Sequence, residues 1–185
     1  IIKIIRYKQV MKRIFVLLFI FLLGAPVFSE VITGGVECSV EDARTDVFST
    51  VPIKPDFNYL RANLVDQNYG ENISTLLSGK TELKDRTLAK FSDGSYGVIY
   101  KDNPKSVLYY SHDGILTHNE LKESLDFPYK TYKYTPQGRL VNMTLRVSED
   151  ETFIFTPDKK LLAHWLGAVC YDEDKNILMR RQIVK

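Results

Sequence analysis

The sequence predicts a mainly β protein, an antiparallel β-hairpin meander of repeat-like units behind a short mixed N-terminal region. Three observations predict it. A seven-residue unit recurs in the second half: an aromatic residue, two spacers, a turn residue, Gly or Lys, one further residue and an apolar one. It runs from Tyr110 to Leu116, Tyr134 to Leu140, Phe155 to Leu161 and Tyr171 to Ile177. Between copies, Val141, Met143, Leu145 and Val147 alternate with Asn142, Thr144 and Arg146, the period of a half-buried strand. The chain also carries 11 Tyr and 10 Phe, residues that pack well on a pleated, half-buried surface.

The N-terminus gives an address. Met11-Lys-Arg13 precedes an apolar run, Ile14 to Leu23, and then Gly24-Ala-Pro-Val-Phe-Ser29-Glu30. A basic start, a short apolar core and small exit residues have the form of a secretory signal peptide over 11–29, cut after Ser29. A spanning helix needs roughly 20 apolar residues, and Pro26 interrupts this run. No membrane span is expected in the mature chain. Residues 1–10 read as upstream sequence translated ahead of Met11, or alternatively as an extended basic n-region of the signal. The expected location is exported: periplasmic, cell-surface or secreted.

Removing 1–29 changes the charge. The whole chain has 25 basic and 23 acidic side chains, and Lys3, Arg6, Lys8, Lys12 and Arg13 fall in the leader with no acid. The remainder has 20 basic and 23 acidic groups, a net of −3. That balance gives no basic surface for a phosphate backbone, so nucleic acid is not an expected partner. Residues 30–185 are enough for one domain with a real core. Cys38 and Cys170 are the only cysteines. In an exported chain they form one disulfide or stay as two part-buried thiols, and spacing does not decide between these.

Residues 30–88 read as irregular or mixed. Ser39-Val-Glu-Asp42 has the form of a capping box and predicts a helix over about 40–48. Val51-Pro-Ile-Lys-Pro55 is extended, because each proline biases its predecessor away from the helix. Phe57 to Val65 fits strand or helix, and Asn72 to Ser78 fits a short helix. Residues 89–185 form the meander. Gly94, Gly114 and Gly138 supply the positive φ of tight hairpins. Where Lys159 and Lys175 replace glycine, the expected turn is longer or of type I. Phe91-Ser-Asp-Gly94 and Tyr100-Lys-Asp-Asn-Pro104 look like earlier copies of the unit. Leu161, Ala163, Trp165, Gly167, Val169 and Tyr171 share one face of the longest expected strand.

Tyr132-Lys-Tyr-Thr-Pro-Gln-Gly-Arg-Leu140 resembles the YD repeat of Rhs-type bacterial surface and toxin-carrier proteins, with the pattern Y-x-Y-D-x-x-G-R-L. Thr135 stands where that pattern has Asp. Tyr171-Asp-Glu-Asp-Lys-Asn176 keeps the Tyr-Asp pair and places Lys175 at the Gly. The spaced aromatic–turn–Gly units are also similar to MORN-variant repeats of small bacterial proteins. The resemblance spans about 100–178. It implies a sheet scaffold whose repeats are not catalytic. The chain is too short for a complete shell, so a carrier role does not transfer.

The motifs for chemistry are incomplete. Ser78-Gly-Lys-Thr81 matches the end of a P-loop, but Ser74 stands where the first Gly belongs. His112 and His118 lie near Asp113 and Glu120 without metal-ligand spacing, so His112 reads as an exposed turn residue. His164 alternates onto the face opposite Trp165 and reads as a surface residue or cross-strand partner. Ser148-Glu-Asp-Glu151 and Asp172-Glu-Asp174 read as solvated turns, since neither matches a calcium loop. No G-x-S-x-G elbow occurs. No catalytic, cofactor or metal residue is assigned, and no cofactor is expected. Most aromatics read as core. Tyr132 and Trp165 are candidate binding aromatics. The expected function is a non-enzymatic envelope module that presents a sheet surface to an unknown protein or glycan. A small envelope hydrolase is the alternative, favoured by a pocket holding His164 or Cys170 beside a carboxylate. Self-assembly through exposed sheet edges is a third reading.

Overall fold

The computed structural model describes residues 38–75 and 79–180. The expectations for 1–29 lie outside them, as does Ser78 of the P-loop-like motif. Three short helices, α1 (Val40–Val47), α2 (Phe57–Ala62) and α3 (Tyr69–Thr75), precede eleven strands. The strands are β1 (Lys80–Glu82), β2 (Arg86–Lys90), β3 (Tyr96–Tyr100), β4 (Ser106–Tyr110), β5 (Leu116–Lys122), β6 (Tyr129–Tyr134), β7 (Leu140–Arg146), β8 (Glu151–Phe155), β9 (Leu161–Leu166), β10 (Val169–Tyr171) and β11 (Ile177–Arg180). They form one antiparallel sheet in sequence order, the expected meander. The sheet begins at Lys80 rather than at 89. The three-residue β1 is polar and carries no alternation that would mark it.

The seven-residue unit is a hairpin end. Its aromatic and apolar residues pair directly across the ladder in Tyr110↔Leu116, Tyr134↔Leu140, Phe155↔Leu161 and Tyr171↔Ile177, each beside a register shift. The turns share one hydrogen-bond pattern. Gly114 N–H donates to Ser111 O, Gly138 to Thr135 O, Lys159 to Thr156 O and Lys175 to Asp172 O. The donor residue is left-handed in every copy, with φ of 74°, 82°, 70° and 63°. This matches a type I turn followed by an αL residue and a bulge. The lysine turns are therefore no longer than the glycine turns. The loop at 91–95 uses the same pattern, with Gly94 N–H on Phe91 O. There Lys90 pairs with Tyr96, so Phe91 sits one position later than the aromatic of a true copy. Tyr100 to Pro104 is not a copy either, because it joins β3 to β4 at the opposite end of the sheet.

The expected long strand from Leu161 to Tyr171 is a hairpin. Gly167 has φ of 56°, and β9 and β10 pair through Leu166↔Val169. The apolar residues on both sides of this two-residue turn disguise it as continuous alternation.

The first helix starts at its expected cap, whereas α3 begins at Tyr69, three residues before the expected start at Asn72. The Ser39 hydroxyl accepts from Asp42 N–H and donates to the Asp42 carboxylate, fixing α1. Asp56 caps α2 by accepting from the N–H of Asn58 and Tyr59. Phe57 therefore opens a helix rather than a strand.

Residues 38–75 form a strap along the hairpin ends of one sheet face. Arg44 donates to Lys159 O and pairs with Glu173. The Phe48 ring meets Phe155 edge-on. The Tyr134 hydroxyl donates to Ile53 O and the Tyr110 hydroxyl to Asn63 O. Tyr110 and Tyr134 thus bury their rings and use their hydroxyls to hold the strap. A Cβ on Gly138 would lie 2.5 Å from the Phe57 ring, and one on Gly114 would lie 2.6 Å from Tyr69. These glycines meet two needs at once, positive φ and room for an aromatic ring.

Two core clusters fill the covered face. Ala43 and Val47 pack with Tyr132, Tyr134, Met143, Leu145, Phe153, Phe155 and Leu161. Leu60 packs with Leu88, Tyr96, Val98, Leu108, Tyr110 and Leu116. Each large side chain contributes about 1.5–3 kcal/mol on burial.

Candidate functional site

The sheet's other face carries no described helix. Residues directly opposite in the ladder share a face, so the register places its side chains in rows. Tyr109 faces His118 across β4 and β5. Val107, Glu120, Lys133 and Asn142 form the next row. Lys122, Thr131, Thr144, Ile154 and Ala163 follow. The last row runs Tyr129, Arg146, Thr152, Trp165 and Cys170.

Side chains at the turn end of this face enclose a depression of about 440 Å³, lined by Phe91, Tyr109, His112, Thr117, His118 and Lys133 among others. The Phe91 and Tyr109 rings lie 6.1 Å apart with a 30° tilt. Lys133 Nζ sits 4.3 Å above the Tyr109 ring, a cation–π distance. The Tyr109 hydroxyl donates to Glu120 Oε2 at 3.0 Å, and Lys133 approaches that carboxylate at 3.9 Å. Burial, then the Glu120 charge, holds Tyr109 as a neutral phenol well above its ordinary range. Burial and the Lys133 charge push His118 below its ordinary value, favouring neutral imidazole. The set offers stacking surface, a cation, a carboxylate and a neutral imidazole.

The expected site residues divide. Tyr132 is fully buried on the covered face and shares a 3.3 Å hydrogen bond with Thr50. It is core, not a binding aromatic, because the strap covers its face. Trp165 lies half-buried on the helix-free face opposite Thr152 and Cys170. Tyr110, Tyr134 and Phe155 are core. Cys38 and Cys170 are free thiols, Cys170 buried and Cys38 packed beside the α1 cluster. Burial raises both thiol pKa values, followed at Cys38 by Glu151 and two aspartates.

His164 does sit beside a carboxylate, with Nε2 3.0 Å from Glu151 Oε1. Its ring stacks on Phe153 at 4.0 Å, making it a cross-strand partner. Cys170 pairs opposite Trp165 and Tyr171 opposite His164. The Cys170 thiol and the His164 imidazole therefore project to opposite faces and form no catalytic pair. His112 is 70 % exposed at its turn. Ser148 and Asp172 cap their own turns by accepting from following backbone N–H groups. Among the described residues, no three His, Cys, Asp or Glu side chains gather as a metal site.

Sequence reasoning did not single out Tyr109 or Lys133, and it named Glu120 only as a neighbour of His118 and Arg146 only within an alternation. Their alternation was visible, but which face the strap covers was not. No family model, characterised protein or solved structure matches this chain.

Proposed function

We propose that the protein is an exported, non-enzymatic binding module of the bacterial envelope, related to YD or MORN-variant hairpin repeats, that presents its helix-free sheet face to a protein or glycan. One observation carries this reading: that face groups the Phe91 and Tyr109 rings, His118 and Lys133 around an open depression, with Glu120 bonded to the Tyr109 hydroxyl. The export part rests on the form of residues 11–29. The separation of Cys170 from His164 and the raised thiol pKa values weigh against a thiol hydrolase. The test is capture of a specific partner from the fractionated host envelope by the purified full chain. Failure to capture anything with folded protein would overturn the reading.

A second reading has its own support. Among the described residues β11 pairs only with β10, and Ile177, Leu178 and Met179 are each about half exposed. An apolar edge strand is a template for pairing with another chain. Sedimentation showing concentration-dependent association, abolished by Leu178→Lys, would support self-assembly.

A further inference from the structure

We infer that Lys122, Thr131 and Arg146 form a subsite on the helix-free face for a phosphate monoester group. This rests on the proposal that this face binds a partner, and it names one chemical group that the partner carries.

Thr131 is only 1 % exposed, and its Oγ1 is buried with no hydrogen-bond partner among the described residues. Arg146 Nε is likewise buried without a partner. The register brings these groups together. Lys122 lies directly opposite Thr131 on one side, and Thr144 lies opposite it on the other. Arg146 is two residues beyond Thr144 on the same face.

Neither Lys122 nor Arg146 makes a side-chain hydrogen bond or ion pair with a described residue. The guanidinium has only the Phe127 ring, 5.9 Å from its Cζ. Burial lowers the Lys122 pKa, Glu120 opposes the shift and Arg146 adds to it. The nearby carboxylate, Glu120, is already bonded to Tyr109 and close to Lys133. Two half-buried cations without an ion-pair partner among the described residues, beside a buried hydroxyl without one, are costly unless an anion joins them.

The donor set selects the anion. Two cations match a phosphate monoester, which carries about −1.5 to −2 charge at neutral pH and three acceptor oxygens. A carboxylate brings one charge and two oxygens, leaving a cation or the hydroxyl unsatisfied. Arg146 supplies the planar fork suited to phosphate, Lys122 a point charge and Thr131 a short hydroxyl donor. The mature chain's net negative charge hides this cluster, because only two cations are involved. The strands on either side of β5 to β7 are fully paired, so the subsite has no free backbone edge and recognises its ligand through side chains.

The test titrates the full chain with inorganic phosphate and, separately, acetate. It reads heat of binding and backbone amide shifts. Phosphate is expected to bind, to shift the amides of Lys122, Thr131 and Arg146, and to bind about tenfold or more tighter than acetate. Arg146→Gln should weaken phosphate binding about tenfold, and Lys122→Gln by a smaller factor, while exposed Lys54→Gln leaves it unchanged. Arg146→Gln should not lower the melting temperature without phosphate, which separates a lost ligand contact from a lost fold. A second arm uses phosphatidylcholine vesicles with and without phosphatidic acid. Vesicle recruitment competed by inorganic phosphate assigns the group to a lipid, and phosphate binding without recruitment assigns it to a soluble ligand. No phosphate binding, equal affinity for acetate, or unchanged affinity in Arg146→Gln would overturn the subsite. Envelope capture that persists through any of these results would leave the broader binding proposal standing.

Discussion

The two faces of the sheet differ in how far their buried polar groups are joined into networks. On the covered face an extended network pairs most of them, with the Tyr59 hydroxyl outside it. Asp66 accepts from Tyr96 Oη at 2.6 Å and from Asn72 Nδ2 at 2.7 Å, and Asn72 in turn accepts from Arg86 Nε. Arg86 continues to Glu71 and Asp85, and Lys130 reaches Asp46. On the helix-free face, Thr131 Oγ1 and Arg146 Nε have no described partner. A satisfied buried network rigidifies a fold, whereas unsatisfied groups cost stability unless something outside the chain completes them. The covered face holds the strap, and the proposed binding falls to the other face.

The largest expected effect lies on the covered face. Asp66→Ala leaves the Tyr96 hydroxyl and the Asn72 amide without their acceptor in a buried site. It should cost about 3 kcal/mol in urea unfolding. A loss below 1 kcal/mol would mean that the network contributes little and the contrast between faces is false. Gly138→Ala comes next, at about 2 kcal/mol, because it strains a φ of 82° and drives a methyl group into the Phe57 ring. The same protocol measures it, and a neutral result would show that the strap does not press on this turn.

A pH titration sharpens the comparison. Tyr96, Tyr109 and Tyr110 all have raised pKa values, chiefly through burial, relative to an ordinary value of 10.0. The folded state therefore keeps protons that the unfolded chain releases above that pH. Stability is fully present below pH 10 and is lost as pH rises beyond it, by roughly 1.4 kcal/mol per pH unit for each such tyrosine. Tyrosinate absorbance should rise in step with loss of structure by circular dichroism. Free titration of these tyrosines in folded protein would contradict the burial on both faces.

The smallest stability effect belongs to a turn. Lys175 is left-handed at φ 63° where other copies use glycine. Lys175→Gly should raise stability by about 0.5–1 kcal/mol in the same urea series. A loss would show that the lysine side chain holds the turn.

Much of the fold was legible locally. Ser39 and Asp42 marked α1, and the aromatic and apolar ends of each seven-residue unit turned out to be cross-strand partners. What escaped was either disguised or non-local. Gly167 sits among apolar residues that mimic one strand, and β1 is too short and polar to show a period. The site is non-local throughout. Tyr109, His118 and Lys133 meet only once three strands are in register. Tyr132 could be separated from a surface aromatic only by knowing where the strap lies.

The central claim is that the helix-free face binds and the covered face holds. The most direct measurement compares envelope capture and melting temperature for the full chain and for a Tyr109→Ala/Lys133→Gln double variant. The account predicts that capture is lost while the melting temperature stays close to that of the unaltered chain. Undiminished capture by the variant would contradict it and move the binding surface elsewhere, with the apolar edge at β11 the first place to look.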